Sequence, residues 1–325
     1  MNYIINRRHL RKGASLFGVN ESDLKLIGGF SNNVFVANSD KVSLIIKYYP
    51  SSMYKRNSIA SELDWIIYLS ESGMNVTVPI VSINNKLMEV VFNKDEACYV
   101  VGFEKAKGAF VNVSNHKEWN ASLFYTWGKT LGNIHRLSKF YQPKDPNIIR
   151  KVWDKDTLFT DVIHNNELIK QKWENFICEL NKLPKNINGY GMIHHDLHHK
   201  NFYLYQNELV LFDFGDSTYH WFVYDIAVVF YHAMQVVDGR RKKDFVSTFI
   251  RSFLRGYETE NQLQFDWLLR IPFFLHYRQL YSYLYLSTYL TNEQQSDVKI
   301  QQYLNRLQSK IEKDIPVIDF RVPIP

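Results

Sequence analysis

Three oxygen-bearing side chains, Asp196, Asn201 and Asp213, fall within the stretch Ile193 to Asp216, IHHDLHHKNFYLYQNELVLFDFGD. The stretch reads as a loop (HHDLHHKN), a strand (FYLY), a turn at Gln206 to Glu208 and a second strand (LVLF) that runs into Asp213-Phe214-Gly215. A hairpin holds its two ends side by side, which predicts that Asn201, before the first strand, and Asp213, after the second, are neighbours. Hard oxygen ligands of this kind suit Mg²⁺. His194, His195, His198 and His199 also contain i, i+4 pairs, which on a helix could bind zinc. The segment reads instead as strand and loop, where such pairs diverge, so no zinc site is expected.

The spacing says more. His194, Asp196, Leu197 and Asn201 occupy the positions of H-R-D-L-x-x-x-N, and Asp213, Phe214 and Gly215 those of D-F-G, two motifs of protein kinases. The Arg is absent, and His198 stands two residues after the Asp, where protein kinases often carry Lys. In this form, H-x-D-L-H-x-x-N followed by a D-F-G-D-type ending, the stretch resembles the aminoglycoside phosphotransferase and choline kinase family, which also includes homoserine kinases and bacterial stress kinases. The resemblance implies an α+β, bilobal protein-kinase-like fold with a small antiparallel-sheet N-lobe and a larger, mainly helical C-lobe. It implies ATP and Mg²⁺ as cofactors, Asp196 as the base for an attacking hydroxyl, and Asn201 and Asp213 as metal ligands. His198 could contact phosphate or substrate. Asp225 opens an apolar helix and needs a partner, because burying an unpaired charge is costly; in the resembled kinases an Asp at this place supports the backbone of the catalytic loop.

The elements that must position these groups follow in order. Residues 1–18 read as a short helix or two that end at Gly18. From Leu24 comes a meander: LKLIGG, FSNN, VFVAN, a turn at Ser39-Asp40, and VSLIIKYY. The turn GGFSNN is not G-x-G-x-x-G; taken alone it reads as a plain hairpin, and beside the downstream motifs as a phosphate-facing turn using Gly28, Gly29 and the backbone of Ser31, Asn32 and Asn33. Lys47 follows Leu44-Ile45-Ile46 as the Lys of V-A-I-K does and would bridge nucleotide phosphates. Its carboxylate partner would be Glu62, on a helix predicted from Ser58 to Ser72 with Leu63, Ile66, Ile67 and Leu69 on its apolar face and Gly73 as its stop. Strands over Ile80–Ile83 and Lys86–Phe92, joined at Asn84-Asn85, and a third over Ala97–Phe103 complete a nucleotide-binding lobe of residues 1–103. Residues 104–108 read as the hinge, where by resemblance the backbone of Glu104 to Ala106 would meet the adenine edge.

Residues 109–325 are then a helical lobe holding the catalytic loop and the acceptor site. Its helices are predicted over Lys117–Lys139, Asn166–Leu183, from Trp221 onward, and over 244–257, 261–289 and 295–311. Gly128 and Gly132, four apart, permit close packing, and His135 reads as a packing histidine. Arg278 lies among Phe273, Phe274, Tyr277, Tyr281 and Tyr283; it faces an acidic group of the substrate or snorkels to the surface.

A length of 325 residues with 46% hydrophobic content suits two unequal lobes. Cys98 and Cys178 are the only cysteines and no signal-like run opens the chain, which points to a cytoplasmic setting without disulfides. The net charge of +6 is dispersed except at Arg240-Arg241-Lys242-Lys243, which reads as a solvated helix start, so no nucleic-acid partner is expected. The apolar run Trp221–Val237 contains Asp225 and His232 and is too short for a bilayer, so no membrane partner is expected either. The function expected is ATP-dependent transfer of the γ-phosphate to a hydroxyl of a small-molecule acceptor. A stress-type serine/threonine protein kinase and a non-catalytic, spore-coat-type kinase-like protein stand as alternatives.

Overall fold

Apolar alternation in the first hundred residues builds an antiparallel sheet, and the rest of the chain is mostly helical, giving an α+β fold. A computed structural model describes residues 5–29, 32–38, 43–94, 96–149, 151–155, 166–237, 242–290 and 292–318. The expected turn at Ser39-Asp40, Ser31 and the basic pair Arg240-Arg241 lie outside the described residues. The chain divides into two compact units, one of Met1–Ala109, Gln142–Arg150 and Val210–Gly215, and a second of Phe110–Tyr141, Lys151–Leu209 and Asp216–Pro325.

The first unit begins with α1 (Arg7–Ser15), capped by the Asn6 side chain, which accepts the His9 N–H. Its sheet comprises β1 (Leu24–Gly28), β2 (Val34–Asn38), β3 (Ser43–Pro50), β4 (Pro79–Ile80), β5 (Glu89–Asn93) and β6 (Glu96–Glu104), in the order β1-β2-β3-β6-β4 with β5 also on β6. Leu44, Ile46 and Tyr48 of β3 enter one core with Phe35, Ala37 and Val100. The period of two along a strand therefore puts Lys47 and Tyr49 together on the opposite face. The helix α2 (Arg56–Glu71) supplies Glu62 and ends before Gly73, whose φ of 87° is the left-handed stop the sequence predicts.

The hairpin predicted over Ile80–Phe92 is not formed. The strand β4 is only two residues long, and β4 and β5 pair separately with β6. The physical reason is Glu89, buried, whose carboxylate accepts from Ser82 Oγ at 2.6 Å and Asn84 Nδ2 at 2.9 Å. A carboxylate that gathers the turn's side chains replaces the rungs a ladder would have had.

In the second unit, α3 (Ala121–Ser138) and α4 (Glu167–Lys182) start at the caps Asn120 and Asn166. Then come β7 (Tyr190–Ile193), the hairpin of β8 (Phe202–Tyr205) and β9 (Glu208–Leu211), and β10 (Thr218–Trp221). The turn residues Gln206 and Asn207 both have positive φ, 51° and 64°, the conformation of a tight two-residue connection. Strand β10 pairs antiparallel with β7, with Thr218 opposite Ile193, so a fixed strand end delivers the chain into His194. The helix α5 (Phe222–Ala233) is buried almost all round, as its apolar run predicts. The helices α6 (Lys242–Glu258), α7 (Phe265–Leu268), α8 (Ile271–Tyr289), α9 (Asn292–Ser296) and α10 (Val298–Glu312) follow. The single helix expected over 261–289 is thus two, and Pro272 lies in the first turn of the second, where its missing N–H costs nothing. Among the described residues, no helix is long and apolar enough to cross a membrane.

Helices α3 and α6 meet at backbone distance. A Cβ added at Gly128 would fall 1.9 Å from the Phe253 carbonyl oxygen, and one at Gly256 would fall 2.0 Å from that of Tyr125. Backbone cannot yield as a side chain can, so Gly128→Ala is expected to destabilise the protein by about 3 kcal/mol, at the upper end of overpacking costs. Urea denaturation measures it, and a change below about 0.5 kcal/mol would contradict the close approach.

Candidate active site

In the first unit, Lys47, Glu62 and Asp213 come together although 166 residues separate the outer two. Lys47 Nζ donates to Asp213 Oδ1 at 3.1 Å and to Glu62 Oε1 at 3.4 Å. Glu62 is buried and also accepts the Tyr49 hydroxyl, 3.2 Å from each carboxylate oxygen. Burial alone would lower the Lys47 pKa, yet the charges of Asp213 and then Glu62 carry it well above the usual lysine value. Burial raises the Glu62 pKa against the pull of Lys47. The carboxylate that orients Lys47 is therefore itself fixed by Tyr49, which the sequence reading missed. The signal was present: Tyr49 lies two residues from Lys47 on the same strand face.

The turn between β1 and β2 is closed by the Asn32 N–H donating to the Gly29 carbonyl at 3.0 Å. Gly29 has φ 88°, and a Cβ there would collide with Asn33 Oδ1 at 2.2 Å, so glycine is required. Asn33 is fixed through its side chain and its carbonyl. It is buried, its Nδ2 donates to the Tyr48 carbonyl at 2.8 Å, and its own carbonyl accepts the Tyr48 N–H at 2.9 Å. It clamps the turn to β3 and leaves Gly28, Gly29 and Asn32 on the loop side. At the end of β6 the Glu104 N–H donates to the Val78 carbonyl at 2.9 Å. Lys105 and the half-buried Ala106 follow it without regular structure.

In the second unit the organising group is Asp225. It is fully buried, and its Oδ2 and Oδ1 accept the backbone N–H groups of His194 and His195, each at 2.9 Å. His135 Nε2 reaches Oδ2 at 3.2 Å, while its Nδ1 meets the Tyr257 hydroxyl at 2.8 Å, and Asn261 Nδ2 donates to that hydroxyl at 2.7 Å. One tautomer satisfies the chain: Tyr257 O–H to Nδ1, and Nε2–H to Asp225. The imidazole packs, as the sequence suggested, and also positions the carboxylate. Burial would raise the Asp225 pKa, but the hydrogen bonds from His135 and His194 hold it below the ordinary carboxylate value.

Downstream of that anchor, Asp196 is the focus of four side chains. Arg278 Nη2 donates to Oδ1 at 3.0 Å, and His232 Nε2 lies 3.5 Å from the same oxygen. Asn201 Nδ2 donates to Oδ2 at 3.2 Å and to the Asp196 carbonyl at 2.8 Å. His198 Nε2 is 3.4 Å from Oδ2. Against burial, the hydrogen bond from His198 and the charge of Arg278 keep the Asp196 pKa well below the ordinary carboxylate range. The expectation for Arg278 is corrected here: it neither snorkels nor awaits a substrate acid, because it is buried on α8 with the Asp196 carboxylate as its counter-ion. His232 was also missed. It follows Asp225 by seven residues on α5, two helical turns along the same face, which is the pattern that would have found it.

Each unit carries one hard oxygen donor. The amide nitrogen of Asn201 is committed to Asp196, which leaves Oδ1 as its ligand atom. Asp213 is half exposed and has one oxygen on Lys47. Among the described residues, no group of three or more His, Cys, Asp or Glu could hold a metal. Neither oxygen belongs to a closed protein cage, and each is of the hard kind that suits a divalent cation coordinated mainly by phosphates and water.

Burial lowers the pKa values of His135 and His220, and brings that of His232 to about 4. All three fold as neutral rings, whereas the unfolded chain takes up their protons near pH 6.5. Their stabilising contribution is complete above that pH and is lost as pH falls toward the folded values. Stability is expected to drop between about pH 6.5 and 4, by up to about 1.4 kcal/mol per pH unit for each proton the folded state refuses. Denaturation midpoints across that range test this, and a flat profile would contradict it.

The chain matches the phosphotransferase enzyme family over residues 23–273. Amicoumacin kinase of Bacillus subtilis (strain 168) is 31% identical over 280 residues, which cover 84% of this chain and 82% of that protein. A solved amicoumacin kinase in complex with AMP-PNP, Ca²⁺ and Ami superposes with a TM-score of 0.87 at 30% identity, covering 96% of this chain and 95% of that one. The microcompartment-associated aminopropanol kinase shares the fold, with a TM-score of 0.74 at 19% identity over 93% of this chain and 95% of its own. The resemblance first read from residues 194–216 thus extends over most of the sequence: the chain belongs to the phosphotransferase enzyme family and is a kinase acting on hydroxyl groups.

Proposed function

We propose that this kinase transfers the γ-phosphate of ATP to a hydroxyl of a small molecule of the amicoumacin kind. The observation that carries the reading is Asp196, an ionised carboxylate held by Arg278, Asn201 and His198 on a loop anchored through Asp225. The acceptor class rests on the amicoumacin kinases, one 31% identical over 84% of this chain and one of TM-score 0.87.

In this reading Lys47, oriented by Glu62, binds the nucleotide phosphates, and the turn at Gly28, Gly29 and Asn32 covers them. Asn201 Oδ1 and the Asp213 carboxylate would hold Mg²⁺, which when bound supplies charge neutralisation to the phosphates. Asp196 accepts a hydrogen bond from the acceptor hydroxyl and aligns its oxygen on the γ-phosphorus. As the new P–O bond forms, the bond to the β,γ-bridging oxygen breaks, ADP leaves, and the hydroxyl proton passes to the Asp196 carboxylate. Such a base contributes about 10²- to 10⁴-fold.

Incubation with Mg·ATP and amicoumacin is expected to give ADP and a product heavier by one phosphoryl group, with Asp196→Asn lowering kcat about 10²- to 10⁴-fold. Phosphate on proteins with none on amicoumacin would sink the acceptor class. An Asp196→Asn variant with undiminished turnover would sink the role of the residue.

A further inference from the structure

Arg278 is a guanidinium buried on a helix 82 residues from the loop it touches. We propose that it is a positioning residue for phosphoryl transfer: it holds Oδ1 of Asp196, so that Oδ2 is the oxygen offered to the acceptor hydroxyl. This rests on the phosphotransfer reading above and adds the element that sets the base.

Arg278 reaches the loop at two places. Its Nη2 donates to Asp196 Oδ1 at 3.0 Å, and its Nη1 donates to the His195 carbonyl at 3.4 Å. His232 Nε2 lies 3.0 Å from Nη2. A guanidinium can only donate, so His232 accepts there and its proton sits on Nδ1. The 3.5 Å approach of that same Nε2 to Asp196 is then not a hydrogen bond. His232 therefore holds the arginine, and the arginine holds Oδ1.

Oδ2 is held differently, by Asn201 Nδ2 at 3.2 Å and, more weakly, by His198. The Lys200 N–H donates to His198 Nδ1 at 3.0 Å, which puts the imidazole proton on Nε2, facing Oδ2 at the long distance of 3.4 Å. An incoming hydroxyl can replace that weak donor while Oδ1 stays fixed. A purely structural account of Arg278 is poorly supported by its energetics. Its Nε is buried without a partner among the described residues, and a buried ion pair is often no more stabilising than apolar side chains of similar volume.

The test is a double-mutant cycle on Arg278→Met and Asp196→Asn. It reads ADP formed from Mg·ATP in single turnovers with enzyme in excess, with water and then amicoumacin as acceptor. Arg278→Met alone is expected to lower the rate about 10²-fold, the scale of a misplaced reacting group, with acceptor KM and the thermal shift on nucleotide binding unchanged. In the Asp196→Asn background the same change should cost less than about 3-fold, because residues that act through one another are not additive. Arg278→Lys should fall between wild type and Met, and it keeps the test open where Met fails to fold. Additive losses, or a change confined to acceptor KM, would overturn the role of Arg278 while leaving the kinase reading intact. A wild-type chain that formed no ADP would sink both.

Discussion

The carboxylate of Asp225 has no contact with solvent, and the loop that leads to Asp196 hangs from it. A lone buried carboxylate costs several kcal/mol in lost hydration, so its two backbone N–H donors and His135 are what keep it ionised. The dependence runs both ways. His194 and His195 lie just past the end of β7, where their N–H groups have left the ladder, and buried backbone donors must be paired. His195 is also held at φ 72°, a conformation that costs a non-glycine residue about 1–3 kcal/mol. It persists because Asp225 takes its N–H and Arg278 donates to its carbonyl. The direction in which Asp196 leaves the backbone is set by that grip.

The two units treat charge differently. Around Lys47 one ammonium stands with two carboxylates that differ in freedom. Glu62 is buried and fixed by the Tyr49 hydroxyl, whereas the Asp213 side chain is 50% exposed. The Lys47–Glu62 contact is thus enclosed on both sides, whereas the Asp213 end of the other contact is open to water. Around Asp196 one carboxylate is balanced by one guanidinium, and the adjacent His232, with its pKa near 4, contributes donors and acceptors without charge. The first arrangement leaves one carboxylate half in water; the second holds an anion still.

The family was legible in residues 194–213 because spacing survives in a linear string, and the match over residues 23–273 bears that out. Lys47 and Glu62 were legible for a similar reason, one ending an apolar strand and the other on the helix that follows. What could not be read depends on contacts across long separations. His135 meets Tyr257 across 122 residues and Arg278 meets Asp196 across 82. No local pattern says which face of α8 turns toward a loop so far back in the chain. The missed elements have a different cause. The apolar residues at 80–83 and 86–92 alternate as strands do, but Glu89 drew Ser82 and Asn84 into a side-chain network, and propensity gave way to the satisfaction of a buried carboxylate.

Strain marks both chemical groups in the opening stretch. His195, one residue before Asp196, and Asp213 itself, at φ 64°, occupy the left-handed region without being glycine. Glycine would relieve the backbone at either place, but at 213 it would remove the carboxylate that meets Lys47. Aspartate is among the few residues that tolerate the region. Chemistry and conformation are thus both met by one residue type at 213, and the ion pair with Lys47 helps to hold it. At 195 the side chain carries no such demand in the proposed reaction, and the backbone is held from outside by Asp225 and Arg278. The strained loop before Asp196 therefore depends on residues supplied by two helices, α5 and α8, and its geometry stands only while both are in place.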